Sequence, residues 1–169
     1  MDEAEVIRLI RALPGVVVVT AGPDTAAPEV AWGDSFAFYD PDDAGEAARR
    51  FPFATVVTKD YPGFDTESRL GRPGVFRLNL PAGRERFTRL FGFPPADLGD
   101  RRAEFAFDAL DRLVPHPVYG RQGWVSVVAP GPATEREVRE LLAHAHERAR
   151  QRYERRGGAA PDDRDDASW

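Results

Sequence analysis

Apolar positions recur at helical spacing through residues 2–12, where Val6, Ile7, Ile10 and Leu13 fall on one side. Asp2, Glu3 and Glu5 occupy the first turn, suited to the positive end of the helix dipole, and Pro14-Gly15 stops the helix. The period then changes. Residues 16–20, VVVVT, are β-branched and short, which predicts a buried strand. After a loop over residues 21–33, Trp32, Asp34, Phe36 and Phe38 alternate with Gly33, Ser35, Ala37 and Tyr39, predicting a second strand closed by Asp40-Pro41. Residues 42–50 are polar and alanine-rich, a surface helix or excursion, and residues 53–58 form a third strand. In residues 75–80 (VFRLNL), Phe76, Leu78 and Leu80 take one face of a fourth strand and Arg77 and Asn79 the other. A short helix follows over residues 83–91, carrying Phe87, Leu90 and Phe91, and Phe93-Pro94-Pro95 ends it. More apolar residues come at 105–114, and residues 124–129 make a fifth strand. Pro130-Gly131-Pro132 turns the chain into its longest helix, where Thr134 and Glu137 have the spacing of a capping box. Its stripe is Val138, Leu141, Leu142, Ala145, Ala149 and Tyr153, over a length of about 30 Å.

Strands that follow one another without crossover helices predict an α+β fold: an antiparallel sheet of about five strands, with the N-terminal and C-terminal helices packed on one face. Residues 1–153 are expected to form one domain, since no linker or repeat divides them. Residues 154–169 lack apolar periodicity and are rich in Asp, so a disordered acidic tail is expected there.

Composition narrows the chemistry. The chain has no cysteine, which excludes disulfides, thiolate metal sites and a Cys nucleophile, and its three histidines barely suffice for an imidazole metal site. No metal or cofactor is expected. His144 and His146 stand two apart on the last helix and therefore point to different sides, which predicts two solvated side chains. Of 23 basic residues only Lys59 is a lysine. Arg, Ala, Gly and Pro share GC-rich codons, so the arginine excess is attributed to genome composition. The net charge of −5 offers no global surplus for phosphate backbones, so nucleic acid is an unlikely partner. The acidic start and the absence of a long apolar run predict no signal peptide, no membrane span and a cytoplasmic location.

Signature motifs are missing: no GxxxxGK[ST], no GxGxxG after a strand, no HExxH and no GxSxG elbow. Three segments remain. In PHPVYGRQGW, residues 115–124, His116 lies between two prolines and is followed by Tyr119, Arg121 and Trp124. A neutral imidazole there could act as general acid or base, with Tyr119 assisting; it could equally tie the loop to the sheet. Lys59 opens a long loop over residues 59–74 at the end of a strand, placed to bind an anion, assist His116 or pair with a neighbouring acid. Arg77 and Asn79 offer a guanidinium fork and an amide if their face lines a cleft, and Arg69 and Arg72 could add to an anion site.

At FPFATVVTKD, RPGVFRLNL and PHPVYGRQGWVSVV the chain resembles a bacterial family from GC-rich genomes known as a domain of unknown function, over residues 2–153. That resemblance carries no activity or catalytic residues. The order of elements is also similar to the MmcQ/YjbR-like proteins: a helix ending in Leu13-Pro14-Gly15, a run of strands, VFRLNL before a helix, a strand containing Trp124 and a long last helix. This likeness implies a small α+β domain, and DNA binding has been suggested for some of its members.

Three functions follow as expectations. The first is a cofactor-free ligand- or partner-binding module using segments 59–79 and 116–124, with Arg72, Arg77, Asn79, Arg121 and Trp124 as ligand contacts. The second is a cofactor-independent hydrolase, cyclase or isomerase in which His116, Tyr119 and Lys59 act on the substrate. The third is DNA binding through a local Arg-rich face. A small molecule is the expected partner, and the oligomeric state is left open.

Overall fold

The computed structural model describes residues 1–46, 49 and 51–157. Helix α1 (Glu3–Arg11) begins with a capping box in which the Asp2 carboxylate accepts from the Glu5 N–H and the Glu5 carboxylate accepts from the Asp2 N–H. Six strands follow: β1 (Val16–Thr20), β2 (Ser35–Tyr39), β3 (Ala54–Val57), β4 (Arg77–Pro81), β5 (Leu113–Pro115) and β6 (Trp124–Val128). They form one antiparallel sheet in the order β1-β2-β3-β4-β6-β5, so only β5 leaves the sequential order to take an edge. Helix α2 (Gly83–Phe91) follows β4, α3 (Leu98–Arg101) is a single turn, and α4 (Glu135–Arg155) closes the chain.

The expected α+β architecture stands, with one strand more than five. β5 is three residues long and ends in Pro115, too short for its alternation to show. Trp32 belongs to a turn before β2, where its indole N–H donates to the Ala27 carbonyl at 3.3 Å, so β2 starts three residues later than its alternation suggests. Residues 154 and 155 continue α4, and residues 158–169 of the expected tail lie outside the described residues, as do 47, 48 and 50 of the expected excursion.

Strand register assigns the two faces. Val56, Leu78 and Val127 stand opposite one another, as do Leu80 and Val125, on the face covered by α1, α2 and α4. The core there includes Val6, Ile10, Phe87, Val138, Leu141 and Ala145. Thr55, Asn79 and Ser126 align on the second face, with Val57, Arg77 and Val128 in the next row. Val57, Leu70 and Val128 make a smaller apolar cluster under the 59–75 segment, which lies across this face.

Two expectations about α4 are corrected. The Thr134 side chain makes no cap to the helix; its hydroxyl donates to Asp111 at 2.6 Å. Asp111 gathers the backbone N–H groups of Gly131, Ala133 and Thr134 at 2.8–3.0 Å, so an acid 23 residues upstream of Thr134 fixes the turn that leads into α4. His144 and His146 are not free in solvent. His144 donates to the Ala82 carbonyl at 2.9 Å, and His146 donates to the Pro14 carbonyl at 2.7 Å while packing edge-on against Tyr39 and Phe53. Spacing on the helix correctly separates these two rings but does not show what each side meets. No helix among the described residues is long and apolar enough to cross a membrane.

Candidate functional site

Alternation along β4 drives Arg77 and Asn79 to the second face, and the 59–75 segment closes over them. Arg77 is buried there, and each of its three nitrogens donates to an acceptor. Nε donates to Asn79 Oδ1 at 2.8 Å, Nη1 to Asp65 Oδ1 at 2.9 Å and to Ser68 Oγ at 2.7 Å, and Nη2 to Asp65 Oδ2 at 2.6 Å. Asn79 accepts a further bond from Ser126 Oγ at 2.8 Å and donates to Thr55 Oγ1 at 3.0 Å. Burial works to raise the Asp65 carboxyl, but the hydrogen bonds and charge of Arg77 overcome it and hold it below the ordinary carboxylate value.

His116 sits at the margin of this layer, 3 % exposed. Its Nδ1 accepts the N–H groups of Val118 and Tyr119, each at 3.0 Å, which assigns the ring hydrogen to Nε2. Nε2 lies 3.4 Å from Arg77 Nη2. Burial, and then the Arg77 charge, push the imidazole down to about 3, so the ring is neutral near pH 7. In that tautomer neither nitrogen offers a free lone pair for proton abstraction. Tyr119 is exposed on the outer side, its ring 5.0 Å from that of His116 and 6.2 Å from that of Phe64.

The other sequence candidates separate. Lys59 donates to the Trp32 carbonyl, beside the buried Asp34 that accepts from the Thr58 N–H and hydroxyl and from Tyr61. Arg72 donates to the carbonyls of Arg69, Ser68 and Asp108 and so braces the loop. Segments 59–79 and 116–119 do converge, through a closed polar layer in which these groups already satisfy one another. Arg121 is exposed, and Trp124 stands apart from this layer, at the other end of the same sheet face.

Trp124 opens onto a groove of about 450 Å³ at the end of the sheet where β2 and β4 finish and β3 and β6 begin. Phe38, Phe51, Pro81 and Trp124 form one side. The C-terminal half of α4 supplies the other, through Arg148, Arg152 and Tyr153, joined by Arg156 just past its end. Among the described residues these three arginines have no hydrogen-bonded or ion-paired acid, whereas Arg150 on another side of the helix pairs with Glu147 and Glu154. Arg49, across the groove, is neutralised by Asp40 and Asp43. Burial, and then the neighbouring Arg148, Arg156 and Arg155, hold the Arg152 guanidinium below its ordinary value. A Cβ on Gly83 would come within 2.4 Å of Arg148 Nη1, and Gly83 has φ +76°, so glycine permits this close approach. Arg148 is thereby set against the N-terminal end of α2, where the helix dipole disfavours a cation and favours an anion.

These arginines do not stand out in the sequence because the excess of Arg has a compositional explanation. A local signal existed: the neighbours of Arg152 at three and four residues in either direction are Arg148, Ala149, Arg155 and Arg156, with no acid among them.

A search of curated proteins returns no match, and neither does a search of solved structures. One family model spans the chain from its first residue through the end of α4. By that match over residues 1–158, the chain belongs to the family of unknown function DUF6194.

Proposed function

We propose that this domain is a small-molecule binding module, and that it takes an anionic ligand in the groove between the sheet end and α4. The observation that carries this reading is the set Arg148, Arg152 and Arg156, which lines a concave space and has no acidic partner among the described residues. Cations held side by side and half desolvated repel one another, and an anion between them relieves that repulsion. The groove volume falls in the range of small-ligand sites, and apolar side chains form much of its wall. The layer around Arg77 and His116 then serves as the rigid floor of the second face, a few residues along β6 from Trp124.

Isothermal titration with phosphate-bearing small molecules, glycerol 3-phosphate and ribose 5-phosphate, tests the proposal. Binding should weaken as salt rises, and Arg152→Ala should reduce affinity by about tenfold or more without loss of the folded circular-dichroism signature. Equal binding by the wild type and Arg152→Ala, or no binding by either, would sink it.

A further inference from the structure

We infer that the ligand of this groove is a flat heterocycle carrying the anionic group, of the class of a nucleoside monophosphate. The inference rests on the anion-site reading above and adds to it the chemistry of the opposite wall. Tyr39 and Tyr153 are engaged with each other edge-on at 5.5 Å, whereas Phe38, Phe51 and Trp124 make no ring contact among the described residues. Phe51 is 70 % exposed, a large apolar side chain left to water at the mouth of a concave site. Uncommitted aromatic faces of this kind are suited to stacking a planar ring, and base–aromatic stacking tolerates any base because every base has a π-face.

Polar groups beside those rings supply an edge to read. The Trp124 indole N–H and the Gln122 side-chain amide have no protein hydrogen-bond partner among the described residues, and both residues line the groove. An amide offers a donor and an acceptor together, which matches the alternating donors and acceptors on a nucleobase edge. Arg148 and Arg152 line the same groove from α4, so a molecule with a ring at one end and a phosphate at the other reaches both sets of side chains. A bare anion would leave the aromatic wall in water, and an uncharged ring would leave the arginines unrelieved.

The discriminating experiment compares adenosine, guanosine, cytidine and uridine monophosphates with ribose 5-phosphate, with adenosine and with a thymidine oligonucleotide, by calorimetry on the full chain. At least one monophosphate should bind about tenfold or more tightly than ribose 5-phosphate. Trp124→Ala should narrow that margin by weakening the monophosphate more than ribose 5-phosphate, and Arg152→Ala should weaken both. Phe51→Ala, at a mostly exposed side chain, provides a second variant should Trp124→Ala fail to fold. If ribose 5-phosphate binds as tightly as every monophosphate, the ring is not recognised: this inference falls and the anion site stands. If no anion binds, both fall. Tighter binding of the oligonucleotide than of any monophosphate at equal phosphate concentration would also overturn the inference, by making a nucleic-acid strand the occupant.

Discussion

Arg77 and Asp65 meet through two parallel hydrogen bonds, at 2.9 and 2.6 Å, with both side chains buried between β4 and the segment that covers it. The fork geometry satisfies both carboxylate oxygens, and Ser68, Asn79 and the neutral His116 complete the guanidinium's surroundings. A charge taken this far from water is tolerable only while its partner is in place.

Removing either partner should therefore be severe. Asp65→Asn or Arg77→Met is expected to cost about 3–5 kcal/mol, because each leaves the other group's charge or donors buried and uncompensated. The double replacement Arg77→Met/Asp65→Asn should cost less than the sum of the two singles, since neither charge then remains. Urea unfolding of the four proteins measures the coupling, and additive losses would contradict it.

Acid should weaken the same layer. His116 is held at about 3 in the folded chain. Its unfolded value is about 6.5, so between these limits the unfolded state binds the extra proton and stability rises with pH. Asp65 acts in the same direction: its depressed value gives stability that is present above the ordinary carboxylate range and is lost as pH falls through the folded value. The slope of unfolding free energy should approach about 1.4 kcal/mol per pH unit in the window below pH 6.5. His116→Asn keeps an acceptor for the Val118 and Tyr119 N–H groups but does not titrate, so its slope there should be flatter. A wild-type profile level from pH 4.5 to 6.5 would contradict the assignment.

The start of α4 depends on Asp111 more than on its own first residues. Asp111→Ala is expected to cost about 1–3 kcal/mol, because it leaves the N–H groups of the turn before α4 without their acceptor. Glu137, which has the spacing of a capping partner but instead lies 3.6 Å from Arg86, should tolerate Gln within about 1 kcal/mol. Thermal unfolding of the two variants ranks them, and the reverse order would restore the capping box that spacing alone suggests.

Gly83→Ala tests how the groove is built. The added methyl meets the Arg148 guanidinium and requires a left-handed backbone, at a cost of about 1 kcal/mol or more. Displacing Arg148 should also weaken ribose 5-phosphate binding, read by titration at a temperature where the variant remains folded. A variant with wild-type stability would show that the contact yields easily.

Much of this fold is legible in the sequence because the apolar face imposes its period on each element. The stripes of α1 and α4 and the alternation of β4 predict which side chains enter the core, and Arg77 and Asn79 do occupy the opposite face. Their partners are less legible. Asp65 and Ser68 sit in a non-repetitive segment, and pairing at nine to twelve residues' separation leaves no periodic mark. The Asp111–Thr134 bond is hidden for the same reason: the spacing of Thr134 and Glu137 is local, and the acceptor that captures the Thr134 hydroxyl is not. The arginines of α4 could be read from the lack of acids around Arg152, but the groove they line exists only once four strand ends are brought together.

The sheet order also has a consequence in time. β1 to β4 pair with their sequence neighbours, so this meander can assemble from short-range contacts. The Arg77 layer cannot, because it needs the 59–75 segment folded back and His116 delivered from 39 residues downstream. Stripping water from the guanidinium before Asp65 arrives would strand a charge, so dehydration of that face must coincide with closure of the segment. Closing that segment and drying Arg77 are thus a single event, and water returns to the guanidinium whenever Asp65 leaves it.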